Sequence, residues 1–375
     1  VNVLRLLLGI GRPLAADDGA EAIALAPERY RPRLTEALAE AGANRAELVA
    51  ALRTVRPEHR EAAAFLIANM PPRDLTSLSR GFLVENIELA YRARAAVPWG
   101  KALPDELFLN HVLPYASINE RRDRWRPDFL KRFLPAVKAC KTPGEAAQKL
   151  NATIFKALGV KYHAKKRPKP DQSPCESIEA GYASCSGLSI LLTDACRAVC
   201  VPARFVGTPL WVNRKGNHSW VEVWDGCWRF VGAAEPGPFD KTWFVGIAGK
   251  ADPAKVEHRI YAASFARTET WFPLVWDLKI KYVTADDVTA FYTMRRPVTF
   301  QVTDTPGGQP VRARLTLRLA GRIVADAVVG EPVAFFLAGG RAYDAEICPP
   351  DGSPCVTRKV AVAEDEDQTI VLPLR

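Results

Sequence analysis

Hydrophobic spacing changes period along this 375-residue chain. From about residue 20 to 160, apolar side chains recur at intervals of three and four, the spacing of a helix face. From about Arg296 they alternate, the spacing of a strand with one buried side. A chain that switches period in this way sorts its helices and sheets into separate regions, an α+β arrangement. In the first region Asn44-Arg45-Ala46-Glu47 has capping-box spacing, and Leu48, Ala51 and Leu52 follow on one face. Pro57 suits a first helical turn; Ala62, Phe65, Leu66 and Met70 extend an apolar stripe that Pro71-Pro72 stops. A further helix is expected over Leu78–Ala96. Thr142-Pro143-Gly144-Glu145 is a second capping box, followed by Ala146, Ala147, Leu150, Ile154 and Ala157 on one side and Gly159 as a stop. The Pro- and Lys-rich stretch Lys161–Cys175 reads as a surface loop.

In the last region Val311, Ala313, Leu315, Leu317 and Leu319 point one way and Arg312, Arg314, Thr316 and Arg318 the other. Further strands are expected at Arg322–Val329, Pro332–Leu337, Ala342–Ile347, Val356–Val362 and Thr369–Leu374, divided by turn signals such as Pro306-Gly307-Gly308 and Gly339-Gly340. Short strands so closely spaced fit a small β-sandwich. Cys348 and Cys355 flank a Pro-Pro-Asp-Gly-Ser-Pro turn, which suits a hairpin disulfide in an exported protein and equally two free thiols.

Composition excludes several classes. Hydrophobic residues make up 48% and charged residues 25%, too much core for a disordered chain, and 8 Cys are too few for a disulfide scaffold. No run approaches the roughly 18 apolar residues of a membrane-spanning helix. Fifty-one Lys and Arg against 42 Asp and Glu leave a net charge of +9, which suits nucleic acid, an anionic polymer or an acidic substrate. The basic clusters, at Arg121, Arg122, Arg124 and Arg126 and at Lys161, Lys165, Lys166, Arg167 and Lys169, read as solvated faces; no nucleic-acid motif accompanies them and no nucleic-acid partner is expected. Val3–Ile10, apolar apart from Arg5, with Leu14-Ala15-Ala16 after it, fits either a truncated signal segment over 1–20 or an amphipathic first helix.

Chemistry concentrates in Gly181–Pro236. From Ser184 onward Cys185, Leu188, Leu192, Ala195 and Val199 recur at helical spacing, so Cys185 opens a helix. A thiol there sits at the positive end of the macrodipole, which favours the thiolate, and the free N–H groups suit an oxyanion. Short strands are expected at Ala203–Gly207, Ser219–Trp224 and Cys227–Val231, and His218 stands where the second begins. Cys plus His is the minimum for nucleophilic acyl transfer, the imidazole taking the thiol proton and returning it to the leaving amine.

Three segments together, Gly181-Tyr182-Ala183-Ser184-Cys185-Ser186-Gly187, Arg197-Ala198-Val199-Cys200-Val201-Pro202-Ala203-Arg204 and Asn217-His218-Ser219-Trp220-Val221-Glu222-Val223-Trp224, resemble the transglutaminase-like superfamily. The resemblance covers about 100 residues. It implies a papain-like Cys-His-acid core with Cys185 as nucleophile and His218 as base, preceded by a helical region and followed by a β-sandwich. It also implies Asp at the end of the strand Trp228–Val231. Gly232 stands there instead. Glu235, followed by Pro236 as the family acid is followed by Pro, is the first candidate to fix the imidazole; Asp225, Glu222 and Asp240 are the other carboxylates in range.

Other residues carry plainer readings. Cys196 and Cys200 lack a second pair at zinc spacing, and no metal or cofactor is expected. Burial or a disulfide is expected for Cys175 and Cys227, and packing or solvation for His59, His111, His163 and His258. Trp211 and Trp243 are the best candidates among the tryptophans to line a groove beside Cys185. The chain thus divides into a leader at 1–20, a helical region at 21–140, a transglutaminase-like core at 141–285 and a β-sandwich at 296–375. The expected function is thiol-dependent acyl transfer on peptide or glutamine-type amides, with hydrolysis favoured and a protein or peptide as partner. A non-catalytic binding or scaffolding module is the competing class, and Gly232 is its support. An extracytoplasmic location is expected, with the cytoplasm as alternative, and the C-terminal region is a candidate for contact with a cell-wall or surface polymer.

Overall fold

The computed structural model describes residues 16–213 and 216–375. Most of the leader assigned to 1–20 therefore lies outside the described residues. The chain forms two compact units, 1–88 and 89–375.

The first unit is helical: α1 (Ala16–Ala24), α2 (Arg31–Glu40), α3 (Arg45–Thr54), α4 (Arg60–Asn69), α5 (Pro72–Leu75) and the start of α6 (Arg80–Ala96). Ala62 to Ala68 of α4 are all buried, which makes this helix apolar all round and central to its unit. Pro57 opens a short 3-10 turn, Pro57–His59, rather than the α-helix itself. The Asn44 and Glu47 side chains do not form the expected cap. Asn44 Nδ2 donates to the carbonyls of Leu75 and Leu78 at 2.9 and 3.0 Å, and Glu47 accepts from the Arg80 N–H at 2.6 Å. Tertiary partners outcompete the local ones, while the helix still starts at Arg45.

The second unit continues through α7 (Asp105–His111), α8 (Trp125–Val137) and α9 (Pro143–Ala157). The cap of α9 forms as its sequence reads: Thr142 Oγ1 accepts from the Glu145 N–H at 3.2 Å, with Pro143 in the first turn. A strand, β1 (Lys161–Tyr162), and a short helix, α10 (Pro174–Ala180), interrupt the expected loop. Ser173 and Glu176 form a complete capping box there, a signal legible in Ser173-Pro174-Cys175-Glu176 that the loop reading passed over. β2 (Tyr182–Ala183) pairs in parallel with β1 and leads into α11 (Cys185–Ala198).

Behind α11 stands an antiparallel sheet of β3 (Ala203–Thr208), β4 (His218–Trp224), β5 (Trp228–Val231), β6 (Tyr261–Ser264) and β7 (Thr284–Asp287), in the order β5-β4-β3-β6-β7. Phe205 meets Ile190 of α11 in one buried cluster, whereas Val206 and Trp220 join a second cluster with α12 (Val245–Ala248) and Tyr292 of α13 (Thr289–Thr293). Side chains alternate across the pleat, so the sheet is apolar on both faces.

Two further sheets follow. One holds β10 (Arg322–Val329), β9 (Ala313–Leu319), β12 (Arg341–Cys348) and β13 (Val356–Val362); the other holds β11 (Val333–Ala338), β8 (Arg295–Thr303) and β14 (Gln368–Pro373). Leu315, Leu317 and Ile347 of the first share a core with Val298, Phe300 and Phe335 of the second. Ala313, Leu315 and Leu317 are buried as the alternation reads, but Thr316, expected on the wet side, is buried too, its hydroxyl donating to Asp326 at 2.8 Å. The whole is α+β, with helices first, a helix-and-sheet region in the middle and sheets last. Cys348 and Cys355 form a disulfide across the turn. Among the described residues no helix is long and apolar enough to cross a membrane.

Candidate active site

Cys185 is the first residue of α11, as its spacing predicts. Ser184 before it is extended and makes no side-chain cap to the helix, so the first N–H groups keep free hydrogen-bonding capacity. The thiol is partly exposed. Burial raises its pKa; the N–H of Ser219, the hydroxyl and N–H of Ser186, and the Arg167 guanidinium pull the other way without cancelling it. The macrodipole argument predicts a lowered value. Burial acts against it and raises the pKa.

His218 is the first residue of β4, opposite Thr208 of β3. Aromatic rings wall its imidazole: Trp243 at 4.8 Å, Phe244 at 5.1 Å, and Trp211 and Trp220 at 5.9 Å between centroids. Nε2 is buried and has no hydrogen-bond partner among the described residues. Burial lowers the pKa to about 4, so the ring is neutral at physiological pH. The residues next in sequence tie the two elements together, Ser186 Oγ lying 3.1 Å from Ser219 Oγ. No hydrogen bond joins Cys185 to His218 among the described residues.

The carboxylates are arranged around a turn. Glu235 N donates to Gly232 O at 3.2 Å, and Ala234 adopts a left-handed φ of 62°. Asn151, buried on α9, holds this turn: its Nδ2 donates to the carbonyls of Gly232 and Glu235 at 3.0 and 3.2 Å, and its Oδ1 accepts from the Ala234 N–H at 2.9 Å. The turn folds Glu235 back so far that a Cβ on residue 232 would collide with its carboxylate. The contact is with the far end of the Glu235 side chain, which a side chain at 232 would push aside. Its Oε1 accepts from Trp243 Nε1 at 3.0 Å rather than from the imidazole. Burial raises the Glu235 pKa, partly offset by that indole bond.

The other carboxylates are engaged elsewhere. Glu222 accepts from Arg204 and from the Tyr292 hydroxyl, each at 2.6 Å, in a buried network that Trp220 Nε1 completes by donating to Tyr292 at 2.7 Å. Asp240 accepts from the Phe230 N–H at 3.0 Å and pairs with Arg229 and Arg295. Asp225 accepts from the Gly144 N–H at 3.1 Å, at the start of α9.

Cys185, His218, Glu235, Trp211 and Trp243 all line one cavity of about 550 Å³, together with Ser219 and Tyr162. Trp211 is buried and stacks on Trp220, whereas Trp243 is 59% exposed and covers His218. Asn151, the Ser186–Ser219 pair and Tyr162 were not singled out by sequence. The serines each adjoin a candidate reacting residue, a signal that could have found them; Asn151 carries none, because its role depends on a turn more than 80 positions away. Cys175 departs from expectation: it is a free, exposed thiol on the solvent side of α10, whereas Cys227 is buried. The one cluster of potential metal-binding side chains among the described residues, Glu346 with Cys348 and Cys355, has its sulfurs in the disulfide.

Residues 131–237 match the family model of the transglutaminase-like superfamily. No curated protein matches the chain. Solved structures similar to parts of it include a protein assigned as a cysteine protease from Cytophaga hutchinsonii, 20% identical over 31% of this chain and 38% of that one, with a TM-score of 0.25. Another is red sea bream transglutaminase, 11% identical over 72% of this chain and 66% of that one, with a TM-score of 0.32. The chain spans less than two thirds of the length of either.

Proposed function

We propose that this chain, which carries a transglutaminase-like core at 131–237, transfers acyl groups from peptide or glutamine-type amides through a thioester on Cys185. The observation that carries the reading is the convergence of Cys185, His218 and Glu235 on one cavity, with the sulfur at an uncapped helix N-terminus. The resting pair is a neutral thiol and a neutral imidazole, so His218 acts as general base during attack rather than as half of a preformed ion pair. One ring nitrogen takes the thiol proton and later delivers it to the leaving amine, and the other is left for the orienting acid. The N–H groups opening α11 and the Ser219 N–H are the donors placed to stabilise the oxyanion. Glu235 is the acid assigned to orient the imidazole, which requires its carboxylate to leave the Trp243 indole. Trp211 and Trp243 form the walls against which the acyl chain packs. Water completes hydrolysis, the favoured outcome; an amine completes cross-linking.

The test is acylation by a p-nitrophenyl ester. One equivalent of nitrophenolate per chain should appear as a burst, with the acyl group on Cys185 by peptide mass spectrometry. Cys185→Ala should abolish the burst and His218→Ala should slow it. A missing burst in the unaltered chain favours the second reading, a non-catalytic binding module, which the unpartnered Nε2 of His218 supports. The Cys348–Cys355 disulfide supports assigning the chain to an oxidising, extracytoplasmic compartment.

A further inference from the structure

The cavity that holds Cys185 has an uneven lining. Tyr162, Trp211 and Trp243 give it aromatic surface, Asn213 and Asn217 give it amides, and Glu235 is its one carboxylate. No Lys or Arg lines it among the described residues. His218, its pKa lowered to about 4, adds no positive charge at neutral pH. The chain as a whole carries a net charge of +9, so the single fixed charge of this concave site opposes the sign of the molecule around it. Low-dielectric walls focus the field of such a charge into the cavity.

The carboxylate has no cation of its own. Oε1 accepts from a neutral donor, the Trp243 indole N–H, at 3.0 Å, and Glu235 pairs with no Lys or Arg among the described residues. Glu222 and Asp240, the acids of the adjoining strands and loop, each hold arginine instead. Nor is Glu235 carried on a loose segment, since the Asn151 amide bonds to the backbone of Gly232, Ala234 and Glu235 itself.

Aromatic faces stand beside this acid. Trp243 is 59% exposed and Tyr162 61%, so two large rings face solvent next to a reactive thiol. Trp243 stands at 71° to Trp211 with centroids 6.3 Å apart; the two indoles meet at a corner, and one of them is bonded to the carboxylate. An acid beside indole and phenol faces is the chemistry that holds an ammonium or guanidinium: the carboxylate supplies the opposite charge and the electron-rich faces add to it.

We infer that Glu235, Trp243 and Tyr162 form a cation-recognition site inside the Cys185 cavity, and that the preferred acyl substrate carries the side-chain cation of Lys or Arg on the acyl side of the amide attacked. This rests on Cys185 being the acyl-accepting thiol and on Trp211 and Trp243 being the walls of the acyl side. A cation drawn to Glu235 competes with the indole N–H, the bond that must break before the carboxylate can reach the imidazole.

The full chain is acylated at pH 7 with p-nitrophenyl 6-aminohexanoate, whose ammonium is charged, and in parallel with p-nitrophenyl heptanoate, in which a methyl group replaces that ammonium. In both reactions the sulfur attacks the ester carbonyl, its proton passes to His218, nitrophenolate leaves and a thioester forms. The burst rate is read after subtraction of Cys185→Ala, and the acyl group is located by peptide mass spectrometry. The aminohexanoate-to-heptanoate ratio at Cys185 should exceed that of 2-mercaptoethanol by about 10-fold. Glu235→Gln should remove most of the excess. Loss of the orienting acid slows both esters alike, so it cancels in the ratio. Trp243→Leu, which keeps the acid, should lower the ratio by about 3-fold. A ratio equal to or below that of 2-mercaptoethanol, or an excess that neither substitution reduces, overturns the cation site while leaving the thiol enzyme standing. No burst with either ester sinks the reading on which the site rests, and the site with it.

Discussion

Ser186 and Ser219 share a hydrogen bond at 3.1 Å, and each is next in sequence to one of the candidate reacting residues, Cys185 and His218. The bond is buried and spans helix and sheet, so it fixes the first turn of α11 against the start of β4. Ser219→Ala leaves the Ser186 hydroxyl without this partner and should cost about 1–3 kcal/mol in denaturant unfolding. Acylation of Cys185 should slow by more than the stability loss explains, because the sulfur is no longer held in register with the imidazole. An unchanged burst rate in a folded variant would show that the two elements are positioned by other contacts.

The pH–rate profile should lack the plateau of a preformed thiolate–imidazolium pair. Burial raises the Cys185 pKa and lowers that of His218 to about 4. Alkylation by iodoacetamide should therefore climb by about tenfold per pH unit through neutrality and level off only above the ordinary thiol range. Stopped-time labelling between pH 5 and 10 measures this. A flat rate from pH 5 to 8 would mean that the ion pair forms in the resting protein.

The same histidine ties stability to pH. Its pKa of about 4 when folded lies below the ordinary value of 6.5, so between those values the unfolded chain binds more protons. His111, buried against Trp228 and near Arg204 and Arg197, is likewise held well below 6.5, first by desolvation and then by those charges. The stabilisation is complete above pH 6.5 and is lost as pH falls toward 4, the His218 share being about 3 kcal/mol. Urea midpoints across this window should fall with acidification, and His218→Phe should make the fall shallower.

Gly232 and Glu235 should behave as a coupled pair. Gly232→Asp alone should push the Glu235 carboxylate out of its place while leaving the backbone of the turn intact. Gly232→Asp/Glu235→Ala removes the collision and puts an acid where the family pattern has one. The double variant should acylate at least about 10-fold faster than Glu235→Ala alone, if an acid beside the imidazole is what the base lacks. The His218 resonance should titrate above its present value. Equal rates in these two variants would show that position 232 does not face the ring.

Asn151→Ala removes the bonds that hold the 232–235 turn and should cost about 2–3 kcal/mol. Glu235 then loses its fixed place. The indole N–H of Trp243, having lost its bond to Glu235, should exchange faster, a change that hydrogen exchange resolves from general loosening of α9.

What could be read without coordinates were the features set by neighbours along the chain. Cys185 opening a helix, His218 opening a strand and the Thr142 cap of α9 all follow from local spacing. The Asn44–Glu47 box had the same local signature, yet its side chains serve Leu75, Leu78 and Arg80, partners that no local pattern announces. The thiol shows the same division: the helix dipole that favours the thiolate is visible in sequence, whereas the desolvation that raises its pKa is created by the fold. The loop reading of Lys161–Cys175 passed over β1 because nothing in Lys161–Tyr162 records its pairing with Tyr182–Ala183.

An aspartate at 232 would be anchored by the ladder of β5, so moving it would mean disturbing the sheet. Glu235 instead rides on a short excursion beyond that strand, tethered by one amide from a neighbouring helix. Changes confined to that loop can therefore move the Glu235 carboxylate while the sheet stays intact.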